Sequence, residues 1–251
     1  MKFGFIGAGK VGFSLGKYLA DNEMEVVGYY SEFKEDALEA SKFTKSSVYK
    51  NIEDLVRDSD VLFLTVPDGA IEKVWNQVKK TGISGKVVCH CSGALSSKVF
   101  SDISELGGFG YSIHPLFAVS DRYNSYKELS NSYFTIEGSP EKIGEIRQIF
   151  EKMGNKICII SAKDKVKYHA AAAIASNLVV GLIDLSEKLL MECGFERDEA
   201  GDALAPIVWG NIKHILNNGV VEALTGPIER GHADTIKKHL ATISGNDRET
   251  Y

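Results

Sequence analysis

The chain has 251 residues, 44% hydrophobic and 25% charged, a composition ordinary for a folded protein with room for one large core or two smaller ones. A formal net charge of −5 and an isoelectric point near 5.7 leave no basic footprint for a polyanion, so nucleic acid is not an expected partner. Lys2 opens a strand-like run without the basic region, apolar stretch and small-residue cleavage site of a secretory signal, and a cytoplasmic protein is expected.

Strand-like and helix-like periods alternate along the first part of the chain. Lys2 to Ile6 is followed by a helix from Lys10, Glu25 to Tyr30 by a helix from Lys34, and Val61 to Val66 by a helix from Gly69, with a further strand over Lys86 to His90. That alternation predicts an α/β domain: a doubly wound Rossmann sheet, mainly parallel, with helices on both faces. Strands over Gly108 to His114, Tyr133 to Glu137 and Lys156 to Ser161, and a helix over Pro140 to Met153, extend the sheet, so the dinucleotide-binding domain is expected to span 1–161. From Ala162 apolar residues recur at helical spacing through Val166 to Cys193, Ala200 to Leu216 and Thr235 to Leu240, which predicts an all-helical domain over 162–251. Gly194 and Gly219 are placed to end helices, and Pro206 to kink or restart one. The apolar stretch Ala170 to Ile183 is shorter than a bilayer crossing of roughly 20 residues. It contains Ser176 and Asn177 and reads as a buried helix, with no membrane expected.

Cys89, Cys91, Cys158 and Cys193 lack the dense pairing of a disulfide framework and read as reduced core thiols. Cys89-His90-Cys91 would point alternately to opposite faces of a strand, and no second ligand pair follows, so no metal is expected.

Gly7-Ala8-Gly9-Lys10-Val11-Gly12 follows the strand Phe3 to Ile6 and opens a helix carrying Leu15, Tyr18 and Leu19. In that context Gly7 allows the tight turn, Gly9 lets the backbone approach a pyrophosphate, and Gly12 lets helix and strand pack closely. The free amides at the helix start favour phosphates. At the end of the second strand, where an acidic residue would hold the 2′-hydroxyl of NAD, this chain has Ser31. Ser31 leaves room for a 2′-phosphate and Lys34 is placed to neutralise it, whereas Glu32 and Glu35 oppose it. NADP is therefore the expected cofactor, with NAD the alternative. Val66-Pro67-Asp68 and Cys91-Ser92-Gly93 fall at the carboxyl edge of the sheet, so Val66, Pro67 and Ser92 are expected to border the nicotinamide. Pro67 also reads as a plain strand terminator.

These groups, with Thr65, His90, Ala94-Leu95, His114-Pro115-Leu116, Tyr168-His169-Ala170-Ala171-Ala172, Ala175-Ser176-Asn177 and Leu224-Thr225-Gly226-Pro227-Ile228-Glu229-Arg230-Gly231, resemble a family of Rossmann-like NADP oxidoreductases with a helical C-terminal domain of unknown function. The wider likeness is to 6-phosphogluconate, ketopantoate, prephenate and pyrroline-5-carboxylate enzymes. The resemblance covers nearly the whole chain and implies a helical domain that closes over the nicotinamide and forms a homodimer; it implies no substrate. Similar proteins continue with another helix past the position of Tyr251, which would leave a helical surface here uncovered.

Hydride transfer at a carbon bearing oxygen or nitrogen needs a proton donor or acceptor beside that atom, and histidine suits the task near neutrality. His169, at the start of the long helix, looks like the replacement for a lysine of related enzymes. Ser176 and Asn177, two turns on, would project to the same face and orient a substrate carbonyl or amide. The bland alternative has His169 bonding a backbone carbonyl. His114 is the second candidate and is similar to the histidine of a His-Pro pair near the prephenate dehydrogenase active site; alternatively it fixes the loop before Asp121. His90, mid-strand, reads as a satisfied core residue. Arg230, on the turn after Gly226-Pro227, would grip a substrate carboxylate in two parallel bonds, or pair with Glu229 or a helix end. Trp209 and Asn211 could line the same wall, with Trp209 read first as core. The expected function is an NADP-dependent oxidoreductase of a small, anionic carbonyl/hydroxy or imine/amine metabolite; a dinucleotide-sensing module without chemistry is the competing class.

Overall fold

A computed structural model describes all residues, Met1–Tyr251, in two compact units, Met1–Ala173 and Ile174–Tyr251. The first unit is built on one eight-stranded sheet: β1 (Lys2–Ile6), β2 (Glu25–Tyr30), β3 (Ser47–Val48), β4 (Val61–Leu64), β5 (Val87–His90), β6 (Phe109–Pro115), β7 (Tyr133–Gly138) and β8 (Lys156–Ile159). The spatial order is β3-β2-β1-β4-β5-β6-β7-β8, and every pair is parallel except β6 with β7. The chain winds outward from β1 to β3 and returns to β4 on the other side of β1, so the switch point between β1 and β4 opens a crevice at their carboxyl ends.

The period of two along each strand supplies both faces. Phe3 and Phe5 of β1, Phe63 of β4 and Cys89 of β5 enter one buried cluster, whereas Ile6, Leu62, Leu64 and Val88 enter the other. Such strands read as continuous apolar runs because both faces are covered. On the first face Phe5 stacks between Tyr29 and Phe63, with ring centroids 5.1 and 5.3 Å away. Each such buried ring contributes roughly 2–3 kcal/mol by removal from water. This face is covered by α1 (Lys10–Asp21), α2 (Lys34–Thr44) and α5 (Ile143–Lys152), where Phe13, Ala37, Ile146 and Phe150 are buried. On the other face lie α3 (Ile52–Asp58), with Leu55 and Val56, and α4 (Asp68–Val78), with Ile71 and Trp75.

The expected strands and helices of this unit are present with ends shifted by up to three residues, and one strand and one α-helix were not foreseen. β3 is two residues long and pairs through Gly28 opposite Ser47. Gly28 has φ +153°, and a β-carbon there would strike the Ser47 carbonyl, so the edge strand depends on a bare backbone. α3 is only seven residues; its start is set by Asn51, whose side-chain oxygen accepts from the Asp54 amide at 2.8 Å. Neither is long enough to show a period.

The change from strand to helix comes at 159–165, close to the expected passage at 161–162, but the first compact unit continues to Ala173. The reason is α6 (Lys165–Ala173): Lys165 is buried and Tyr168 half-buried against the sheet edge. A wider π-turn, Ile174–Leu178, then leads into α7 (Val179–Glu192), α8 (Arg197–Asn218), α9 (Val220–Ala223), α10 (Gly226–Glu229), α11 (Ala233–Thr242) and α12 (Gly245–Thr250). Gly194 (φ +97°) and Gly219 (φ +85°) end helices as expected. Pro206 lies within α8 without ending it.

Three expectations about burial are corrected. The run Ala162–Glu192 is 31 residues long, and by length and composition alone could cross a membrane; the segment read as a buried helix instead exposes Ile174, Leu178, Val180 and Leu182. Trp209, read as core, is 71% exposed. Of the four free cysteines only Cys89 is buried, Cys91 is half-buried, and Cys158 and Cys193 are exposed. In the second unit the cause is size, since a small helical unit has too little interior to cover apolar residues spread around its helices, whereas Cys158 lies on the edge strand β8.

Candidate active site

Parallel register brings four loops to one edge. Ile6 pairs with Leu64, Leu64 with His90, and His90 with Ser112, so the segments beginning at Gly7, Thr65 and Cys91 leave the sheet side by side, and β6 runs three residues further, to Pro115. A cleft of about 450 Å³ runs along this edge, lined among others by Gly9, Lys10, Val11, Val66, Pro67, Asp68 and Ser92.

At one end stands the phosphate turn. Gly7 has φ +98°, donates its amide to the Tyr30 carbonyl at 2.8 Å, and accepts at its own carbonyl from the Thr65 hydroxyl at 2.8 Å. A β-carbon on Gly12 would strike Thr65 Oγ1 and the Gly7 carbonyl, so helix and turn touch there. Gly9 differs from both. Its backbone is extended (φ −71°, ψ −175°), which any residue adopts, and nothing lies within 4 Å of where its β-carbon would be. The bare backbone at Gly9 answers no demand of folding and leaves an open cradle at the start of α1, where the first amides have no partner inside the helix. These residues fit a dinucleotide pyrophosphate. Beyond them Ser31 is half-exposed, its hydroxyl accepting from the Phe33 amide at 3.2 Å, and Lys34 is exposed at the start of α2.

The segment after β6 forms another wall. Val119 lines the cleft, and Arg122 ties the segment's far end to the phosphate turn. Its guanidinium donates to the Ala8 carbonyl at 3.2 Å, pairs with Asp36 and Glu39 at 3.2 Å each, and covers the Phe13 ring at 4.6 Å.

At the other end of the cleft Ser92 donates its hydroxyl proton to Asp68 at 2.6 Å and accepts from the amides of Ala94 and Leu95. Gly93 follows, buried between two imidazoles: a β-carbon on it would lie 2.5 Å from His169 Nδ1 and 3.0 Å from His114 Nε2. The two rings stand edge to face with centroids 6.3 Å apart. The structure thus brings His114 and His169, both chosen from the sequence, to one point beside Ser92. Beneath them Lys165, 1% exposed, donates to the Ser92 carbonyl at 2.8 Å and to the Ser112 hydroxyl at 2.6 Å. Burial pulls its ammonium down to about 8, against the pull of Glu137, Cys91 and Asp68. Sequence reasoning missed Lys165 because it stands among Lys163, Asp164 and Lys167 and reads as part of a solvated face. The available signal was its helical spacing of three and four from Tyr168 and His169.

His90 is fully buried: its Nε2 lies 3.2 Å from the Ser96 carbonyl and its Nδ1 accepts from the Ser92 amide at 3.2 Å. Burial lowers it to about 4, and burial with the Lys165 ammonium and His169 lowers His114 to about 4. Both folded values lie below the unfolded histidine value of about 6.5. Their contribution is present above about pH 6.5 and is lost as pH falls through 4, on the order of 3 kcal/mol for each ring. Thermal melts recorded from pH 7 to pH 4 are expected to fall steeply across that window, and less steeply in His90→Asn; equal slopes for the two proteins would refute the linkage.

Other expected site residues lie in the second unit. Ser176 and Asn177 sit exposed on the π-turn, with the serine hydroxyl donating to the asparagine side-chain oxygen at 3.0 Å. Arg230 is the exposed residue that ends α10; it makes no ion pair, and Asn211 is exposed in α8. A second cavity of about 360 Å³ opens beside Pro227, Ile228 and His232.

Comparison with known proteins agrees with this architecture. Residues 1–115 match a Rossmann-like domain, and residues 132–251 match a domain of unknown function, DUF2520. Protein TM1727 from Thermotoga maritima is similar over 95% of this chain and 88% of its own, at 26% identity and a TM-score of 0.75. BF3122 from Bacteroides fragilis, provisionally named an NADP oxidoreductase, is similar over 99% of this chain and 93% of its own, at 18% identity and a TM-score of 0.77. A pyrroline carboxylate reductase from Plasmodium falciparum, solved with NADP bound, matches over 99% and 94%, at 18% identity and a TM-score of 0.65. No curated protein sequence matches this chain at a significant level.

Proposed function

We propose that this chain, a Rossmann-like domain joined to a DUF2520 domain, is an NADP(H)-dependent oxidoreductase acting on a small metabolite with a carbonyl/hydroxyl or imine/amine group. The observation that carries the reading is the open cradle at Gly9, continuous through one cleft with Asp68 and Ser92 beside the paired histidines. The fold shared with a reductase solved with NADP bound supports the cofactor class. Ser31 in place of an acidic residue, with Lys34 nearby, supports NADP over NAD despite Glu32 and Glu35.

When bound, the reduced cofactor supplies a hydride. The chain's own residues hold the pyrophosphate at Gly7 to Gly12, border the nicotinamide with Val66, Pro67 and Ser92, and present His169 for proton transfer with His114 beside it. Asn177 and Ser176 are assigned to substrate orientation and Arg230 to a substrate carboxylate. The apolar side chains exposed on the second unit, Ile207, Trp209 and Leu216 among them, suit a second copy of the chain. The ion pair Lys188–Asp184 within α7 speaks for a protein partner over lipid. Unpaired cysteines fit a reducing, cytoplasmic compartment.

Calorimetric titration tests the cofactor assignment. NADPH is expected to bind at least about tenfold more tightly than NADH, a difference of about 1.4 kcal/mol. Equal affinities would remove the NADP preference, and no heat from either would remove the oxidoreductase reading. Binding without consumption of NADPH against keto acids, imines and aldehydes would favour the sensing module.

A further inference from the structure

The two ring nitrogens of His114 face different surroundings. Nδ1 lies 2.8 Å from the Tyr168 hydroxyl, and Nε2 faces Gly93, the residue after cleft-lining Ser92. Opposite His114 in the antiparallel register of β6 and β7 stands Thr135, whose buried hydroxyl makes no hydrogen bond of normal geometry although it lies beside the Tyr168 phenol.

The direction of this row of groups follows from counting protons. If Nδ1 carried hydrogen and donated to the phenol, the phenol proton would turn to Thr135 Oγ1, and the threonine proton would have no acceptor. In the opposite direction the phenol donates to Nδ1 and leaves its oxygen open toward Thr135, the buried hydroxyl that otherwise lacks a partner. An unmet buried donor costs about 1–3 kcal/mol, enough to decide between the two.

We infer that Tyr168 donates its proton to Nδ1 of His114 and so fixes the ring as the Nε2–H tautomer, a neutral hydrogen-bond donor on the Gly93 side of the ring. Tyr168 is a positioning residue, acting through His114. Around the ring stand His90 from β5, Asp68 from α4, Thr135 from β7, and Lys165 and His169 from α6. Burial and the Lys165 ammonium keep it uncharged down to about pH 4.

The consequence for substrate rests on the oxidoreductase reading. An N–H donor serves an atom with a lone pair, so the group it recognises is a carbonyl oxygen or the nitrogen of an unprotonated imine; a protonated iminium has no lone pair to offer. In the reductive direction the carbon would receive a hydride from a bound reduced dinucleotide, which would be oxidised. The π electrons move to the heteroatom, which takes one proton from protonated His169, while His114 keeps its own and only donates the hydrogen bond.

Two-bond proton–nitrogen correlation spectra of protein labelled with ¹⁵N at histidine test the tautomer without cofactor or substrate. Wild-type His114 is expected to carry hydrogen on Nε2 alone at neutral pH. In Tyr168→Phe the group that holds Nδ1 free of hydrogen is gone, so the Nδ1–H tautomer is expected to appear beside the Nε2–H form in the same spectra. A wild-type ring protonated at Nδ1 overturns the inference, as does a Tyr168→Phe ring that keeps Nε2–H as its only tautomer. Either result leaves the oxidoreductase reading standing. A protein that shows the Nε2–H form but binds no dinucleotide would lose that reading and keep the tautomer.

Discussion

Gly9→Val is expected to fold as the wild type does and to lose dinucleotide binding, with the dissociation constant rising by about 100-fold or more, equivalent to about 2.7 kcal/mol. The stability half follows from the backbone: φ −71° and ψ −175° suit a β-branched residue, and no neighbouring atom lies within 4 Å of the new β-carbon. The binding half follows from the same open space, which valine would fill where a pyrophosphate must meet the amides that open α1. Gly7 and Gly12 do not offer so clean a test. At Gly7 the positive φ, and at Gly12 the clash with Thr65 and the Gly7 carbonyl, would damage fold and site together. Thermal melting beside calorimetric titration separates the two effects. A folded valine variant that binds NADPH at wild-type strength would show that the cofactor, if any, lies elsewhere.

His169→Asn should lower turnover by about 10²- to 10⁴-fold, the range for loss of a general acid or base, while leaving the cofactor dissociation constant unchanged. His169 is exposed, so asparagine creates no cavity, and its Nδ1 stands at Gly93, on the loop after β5 and not on the phosphate turn. His114 cannot take over the role. Its ring is held neutral by burial and the Lys165 ammonium, and at working pH it has no second proton to give. Steady-state rates and titrations on the same preparation provide the check, and an asparagine variant of near-normal activity would sink the assignment.

Much of the first unit was legible because both faces of its sheet are covered. Strands such as Val61–Leu64 appear as uninterrupted apolar runs, and the turn Gly7 to Gly12 follows one of them directly. β3 and α3 were not, since two and seven residues carry no period. In the second unit the helices were readable from spacing but their exposure was not. Apolar periodicity says that a face wants cover and is silent on whether the same chain supplies it, as Trp209 and the Ile174–Leu182 stretch show.

What the sequence by itself determined is the local chemistry: the order of strands and helices, a glycine turn shaped for phosphate, and two histidines suited to proton transfer. Tertiary structure decided which of these act together. Parallel register, a property of pairing between distant segments, set Ser92, His114 and the α6 residues at one edge. Folding also buried Lys165 and aligned Tyr168 on His114 Nδ1. No spacing along the chain encodes those approaches, because they arise only when water is driven from between elements more than fifty residues apart.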